Sequence, residues 1–163
     1  MKIGFIGIGN MGSAIMKAVI TRVSAENVYI SDPNTARLNL FAEEYGVISS
    51  TNDSVAKECD YIFLGVKPQV MKNVLASLSP ALKESSKRTV LISMAAGVEI
   101  STITEMLGNA YPIIRIMPNL PVSIGEGMTL YDSVGVENNE IDVFLDFMKN
   151  TGKLAHLPEK LIN

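Results

Sequence analysis

Three glycines near the start of the chain stand at a spacing that chemistry can use. Gly7, Gly9 and Gly12 form Gly-x-Gly-x-x-Gly within Ile6-Gly7-Ile8-Gly9-Asn10-Met11-Gly12. An apolar run, Ile3 to Ile6, precedes them. Helical spacing follows, with Ala14, Ile15, Ala18 and Val19 recurring. Strand, tight turn and helix is the context in which this motif holds a dinucleotide. Gly7 permits the turn, Gly9 lets backbone approach a pyrophosphate, and Gly12 lets the helix pack closely on the strand. The anion rests at the helix N-terminus, where unpaired N–H groups and the macrodipole favour negative charge. Outside that context the motif is only a glycine-rich turn.

Further candidate groups follow along the chain. Asp32 closes the run Asn27–Ser31, twenty residues after Gly12. Its carboxylate can accept hydrogen bonds from ribose hydroxyls or cap the next helix; both uses stay open. Lys67 ends the run Tyr61–Val66 and precedes Pro68. It is either a cofactor contact or a solvated strand end. Asn119, between prolines 118 and 121, either faces a substrate or satisfies a turn. His156 is the single histidine and is expected at the surface, outside the crevice. Cys59 is the single cysteine, which excludes a disulfide framework and a cysteine-based zinc site. No metal is expected.

The elements that must position these groups alternate. After the first strand and helix come a strand at 27–31, a helix at 35–45 with Gly46 as its C-cap, and a short strand at 47–48. A short helix at 52–58 leads to a buried strand at 61–66, then to a helix at 69–82 with Val70, Val74, Leu75 and Leu78 inward. Strands at 89–93, 113–117, 127–131 and 153–157 follow, with helices at 101–107, capped by Ser101, and 137–150. This alternation predicts a single α/β domain of Rossmann type, doubly wound around a mainly parallel sheet. Ligands in such sheets lie beyond the carboxyl ends of the strands. Gly7–Gly12, Ser31–Asp32, Val66–Pro68, Met94–Gly97 and Pro118–Pro121 should therefore converge on one crevice.

The bulk numbers agree. At 163 residues the chain can bury a real core. The net charge is −3 with no basic block, so nucleic acid is not an expected partner. The apolar runs are too short to span a membrane. The first strand begins at once, leaving no signal peptide, and a cytoplasmic protein is expected.

Taken together, certain blocks resemble the 1-pyrroline-5-carboxylate reductase family. They are Ile6–Gly12, Phe63-Leu64-Gly65-Val66-Lys67-Pro68-Gln69, Ser93-Met94-Ala95-Ala96-Gly97-Val98, Arg115-Ile116-Met117-Pro118-Asn119-Leu120-Pro121 and Gly125-Glu126-Gly127-Met128-Thr129. The resemblance implies reduction of a cyclic imine, pyrroline-5-carboxylate, to proline by NADPH or NADH. It implies that Ile6, Gly7, Ile8, Gly9, Asn10 and Met11 surround the pyrophosphate. Ser31 and Asp32 would meet the adenosine ribose, and Asn52 would lie along the cofactor. Val66, Lys67, Pro68, Ala95 and Ala96 would line the nicotinamide half, with Asn119 on the substrate side. Competing readings are a binding module without turnover and a related hydroxyacid or deazaflavin-linked oxidoreductase; the Met-Pro-Asn-x-Pro block argues against the latter.

Two departures from the family pattern stand out. Members often carry Asn-Arg after the second strand, where this chain has Asp32-Pro33 and no Arg until Arg37. A carboxylate beside a 2′-phosphate is repulsive, so NADH is favoured over NADPH. Leu120 stands where Thr is common. Family members also continue into a helical domain that forms a homo-oligomer and completes the imine site. On this reading residues 1–158 are the NAD(P)-binding domain and 159–163 begin the link to that domain. The catalytic acid would lie there, and no catalytic residue is assigned.

Overall fold

The computed structural model describes residues 1–162. Eight strands form one sheet: β1 (Ile3–Ile6), β2 (Val28–Ser31), β3 (Ile48–Ser49), β4 (Tyr61–Leu64), β5 (Val90–Ser93), β6 (Ile113–Met117), β7 (Gly127–Val134) and β8 (Gly152–His156). Six helices connect them: α1 (Asn10–Val19), α2 (Thr35–Tyr45), α3 (Asn52–Glu58), α4 (Pro68–Glu84), α5 (Ile100–Leu107) and α6 (Asn138–Met148). The strand order is β3-β2-β1-β4-β5-β6-β7-β8. Strands β1 to β6 are mutually parallel. β7 then pairs antiparallel to β6, with β8 parallel to β7. The order reverses between β1 and β4, which marks the ligand crevice of a doubly wound sheet.

Alternation along the strands divides the core into two layers. Ile3, Phe5, Ile30 and Phe63 pack with Ile15, Met16 and Val19 of α1, Leu38 of α2 and Phe144, Phe147 and Met148 of α6. Ile6, Ile62, Leu64 and Leu91 pack on the other face with Val55 of α3, Met71, Leu75 and Leu78 of α4 and Ile103 of α5. The central register is fixed by Phe5 and Phe63, direct neighbours across β1 and β4. Their rings stack at 4.5 Å, and Phe147 meets Phe63 edge-on at 6.1 Å. The same register brings the ends of β1 and β4 level, beside each other.

Helix ends largely follow local chemistry. Asn34 caps α2 by accepting from the Arg37 N–H at 3.0 Å, and Gly46 ends it in the left-handed region at φ 72°. Glu137 and Glu140 form a reciprocal capping box at the start of α6. Certain boundaries depart from expectation. β4 stops at Leu64: the Gly65 N–H still donates to the Ile6 carbonyl at 2.8 Å, but β1 has turned away at Gly7. β7 runs on to Val134. Val70 is exposed, and Met71 takes the inward position in the first turn of α4. Ser101 does not cap α5. Glu99 holds the N-cap position, and the Ile100 N–H is satisfied by Glu159 Oε1 at 2.7 Å.

Glu159 also ties down the last described residues. Its carboxylate accepts from Arg115 Nη1 at 3.1 Å. Its backbone N–H donates to Asp132 Oδ2 at 2.6 Å. Arg115 is fully buried in the middle of β6, and its Nη2 has no partner among the described residues. Ile162, three residues on, is buried as well.

Candidate functional site

The three motif glycines have different structural reasons. Gly7 takes φ 88°, and a Cβ there would lie 2.5 Å from the Gly65 carbonyl oxygen. A Cβ on Gly65 would in turn lie 2.6 Å from the Gly7 carbonyl oxygen. The chain turns out of β1 and out of β4 with backbone against backbone, which only glycine allows. A Cβ on Gly12 would overlap the Gly7 carbonyl oxygen, so close packing of α1 on the turn requires that glycine too. Gly9 differs from both. Its backbone is extended (φ −63°, ψ −167°), and a Cβ there would meet nothing within 4 Å. The fold does not need glycine at Gly9; the open space in front of it does.

That space lies at the N-terminus of α1. Gly9 is the N-cap and supplies no side-chain cap, and no acidic residue occupies the first turn. The first backbone N–H groups are thus left for an outside acceptor, and the helix dipole favours an anion. A pyrophosphate fits a cradle of this kind.

Side chains from neighbouring strand ends close on the loop. Asp32, just past β2, accepts from the Ile8 N–H at 3.0 Å through one oxygen and from the Asn34 N–H at 2.9 Å through the other. It is therefore not the cap of α2, a task Asn34 performs. The Gly7 N–H donates to the Ser31 carbonyl at 2.8 Å. The Ser31 hydroxyl donates to Asn52 Oδ1 at 2.6 Å, linking the end of β2 to the start of α3. Val66 lies against Gly7. Lys67 is exposed at the N-cap of α4, and Pro68 fills the first helical position, which needs no N–H. The Met94 N–H reaches the Leu64 carbonyl at 3.5 Å, setting the loop with buried Ala95 and exposed Ala96 beside the end of β4. All these groups stand at carboxyl ends of parallel strands.

Among the described residues, Asn119 and His156 make no hydrogen bond to that cluster. Asn119 Oδ1 accepts from the Met128 N–H at 2.9 Å, joining the end of β6 to the start of β7. His156 is exposed on β8, the far edge of the sheet, with Nε2 3.0 Å from Asp132 Oδ1. Two residues named in the sequence were given no role there. Gly65 is signalled by a glycine closing an apolar strand. Arg37 reaches back from α2 to place Nη1 3.3 Å from the Ile8 carbonyl oxygen. No sequence signal announced that reach, because it depends on how α2 lies against the loop.

A cleft of about 510 Å³ lies elsewhere, lined by Lys83, Lys87, Arg88 and Tyr111 near the amino ends of the strands. Among the described residues no His, Cys, Asp or Glu cluster is placed to hold a metal. No described helix is long and apolar enough to cross a membrane.

Residues 2–97 match the family described as NADP oxidoreductase, coenzyme F420-dependent. The chain belongs to that family. The matched residues run from β1 through the loop after β5, so membership covers every part of the crevice except Asn119. The pyrroline-5-carboxylate reductase of Methanosarcina acetivorans is 31% identical over 166 residues, covering 99% of this chain and 60% of the relative. A solved pyrroline-5-carboxylate reductase from Coxiella burnetii superposes with a TM-score of 0.89 at 30% identity, covering 96% of this chain and 58% of that one. A pyrroline carboxylate reductase from Plasmodium falciparum, solved with NADP bound, gives 0.84 at 29% identity, covering 98% and 58%. The likeness to pyrroline-5-carboxylate reductases read from the sequence blocks is thus borne out. The chain spans about three fifths of the length of these relatives.

Proposed function

We propose that this chain is the NAD(P)H-binding part of a pyrroline-5-carboxylate reductase, which reduces 1-pyrroline-5-carboxylate to proline. The observation that carries the dinucleotide reading is Gly9: a glycine the fold does not require, facing open space at an uncapped helix N-terminus. The substrate reading rests on the family resemblance and on relatives named for that reaction.

NAD(P)H, when bound, supplies the hydride that the imine carbon accepts. The residues of this chain bind and orient. The N–H groups after Gly9, with Ile6, Gly7, Ile8, Asn10 and Met11 around them, hold the pyrophosphate. Ser31 and Asp32 meet the adenosine ribose, and Asn52 steadies Ser31. Val66, Lys67, Pro68, Ala95 and Ala96 form the wall of the nicotinamide half. Asn119 spends its Oδ1 on Met128, which leaves Nδ2 as the group it offers to a substrate carboxylate. NADH binds at least as well as NADPH, because Asp32 stands at the ribose. Residues 1–158 carry the cofactor site, and 159–163, bonded back to it through Glu159, begin the link to a helical domain that forms the homo-oligomer.

A domain exchange tests the whole reading. This chain is substituted for the matching part of the Methanosarcina relative, and pyrroline-5-carboxylate reduction is followed with NADH and NADPH. Turnover is expected. A folded exchange protein that binds NADH yet reduces no pyrroline-5-carboxylate would sink the substrate assignment.

A further inference from the structure

Arg37 has no part in the reading above, yet it stands where a cation would matter. It lies in the first turn of α2, its backbone N–H capped by Asn34. A positive side chain there works against the helix dipole, and no acidic residue in that turn offsets it. Helix stability therefore does not explain an arginine at this position. Among the described residues the guanidinium forms no ion pair. It donates from Nη1 to the Ile8 carbonyl at 3.3 Å, a long bond, and its remaining N–H donors are left over on an exposed side chain.

The other side of Ile8 belongs to Asp32. That carboxylate takes the Ile8 N–H through one oxygen and the Asn34 N–H through the other. Asp32 and Arg37 thus grip the same loop residue from its two peptide groups. The negative charge is turned into backbone donors, while the positive charge rests on one long bond from an exposed residue. Because both groups hold Ile8, a ribose bonded to Asp32 would have its hydroxyls on the side of the loop that Arg37 reaches.

We infer that Arg37 decides how this site treats the 2′-phosphate that distinguishes NADPH from NADH. This rests on the dinucleotide reading. With NADPH, the guanidinium leaves the Ile8 carbonyl for the phosphate oxygens, whose geometry its planar fork matches. The new contact offsets repulsion from Asp32, so NADPH is admitted. With NADH, Arg37 stays on Ile8. The cation comes from α2, not from the position directly after β2.

ADP-ribose and 2′-phospho-ADP-ribose probe the adenosine half alone. Calorimetry with both, on wild type, Arg37→Ala and Arg37→Lys, gives the test. Arg37→Ala should weaken the 2′-phosphorylated ligand by about tenfold or more and leave ADP-ribose unchanged, with Arg37→Lys between. Equal loss for both ligands would mean that Arg37 only holds the loop, and would overturn the inference. So would no loss for either. In those two outcomes the dinucleotide reading survives. Wild type binding neither ligand would overturn that reading, and this inference with it.

Discussion

At the scale of single residues, identical glycines answer to different demands. Gly7 and Gly12 are required by backbone packing inside the domain, and Gly9 is required by nothing inside it. Gly9→Val should therefore leave the thermal unfolding midpoint unchanged and abolish dinucleotide binding by calorimetry; normal binding would make the loop a structural turn only. Gly12→Ala should do the reverse at first, losing about 1–3 kcal/mol of stability to overpacking against the Gly7 carbonyl. Asp32→Ala should weaken NADH by about tenfold, the worth of a charge-assisted hydrogen bond, as read by cofactor fluorescence. A clear NADPH preference in wild type would count against Asp32 as the ribose acceptor. The glycine spacing was legible because each role needs one residue type at one offset. The Asp32–Ile8 and Arg37–Ile8 grips were not, since they join the loop to β2 and α2 across the fold.

At the scale of elements, helices capped by their own neighbours were the readable ones. α2 lies between Asn34 and Gly46, both local signals, and its limits follow from sequence. The start of α5 does not, because its first N–H is met by Glu159, 59 positions away. Val70 matched the apolar spacing of α4, yet is exposed in its first turn, so periodicity alone misplaced it. α6 offers a test of local electrostatics. The Arg88 guanidinium bonded to Glu140 holds that carboxyl below its ordinary range, against the opposing effect of burial, with the Glu137 N–H adding to the lowering. A lowered folded-state value stabilises the protein above the unfolded value and ceases to do so as pH falls through the folded one. Glu140→Ala should cost about 1–2 kcal/mol at neutral pH through loss of the capping box and the Arg88 bond. The difference from wild type should shrink on acidification below about pH 4. A gap that stayed constant to acid pH would remove the charge from this account.

At the scale of the molecule, a parallel sheet with its order reversed between β1 and β4 gathers six strand ends into one groove. The antiparallel turn at β7 then closes the sheet with an edge pair that carries no cofactor residue. Alternation in the sequence was enough to foresee the doubly wound sheet, whereas the direction of β7 is set by its pairing with β6 and had no local signal. On the proposed reading, the substrate site is completed by a helical domain beyond this one. Hydride transfer needs the acceptor held about 3–3.5 Å from the donor in an aligned pose. This chain alone is therefore expected to reduce pyrroline-5-carboxylate at well under a tenth of a full-length relative's rate, measured side by side. Turnover of comparable size would mean that the substrate site lies wholly within residues 1–163. Burial offers a check on the fold itself. It pushes the Cys59 thiol up to about 12, so the native protein should resist thiol reagents at about pH 8 and react once unfolded.

The tie between Arg115 and Glu159 bears on how such domains can be cut and spliced. Chain segments are easily thought of as beads, each ending where its last strand ends. Here that rule would place a junction after His156 or Pro158, and the severed piece would keep Arg115 buried with its carboxylate gone. An unpaired charge in that position costs about 3–5 kcal/mol, against a total stability of about 5–15 kcal/mol for an ordinary domain. A graft that starts its foreign sequence one residue later keeps the pair. Inheritance of this domain by other proteins, natural or engineered, would then carry a short ionic signature past its last strand: an acidic residue three positions after β8, matched to an arginine in the middle of β6.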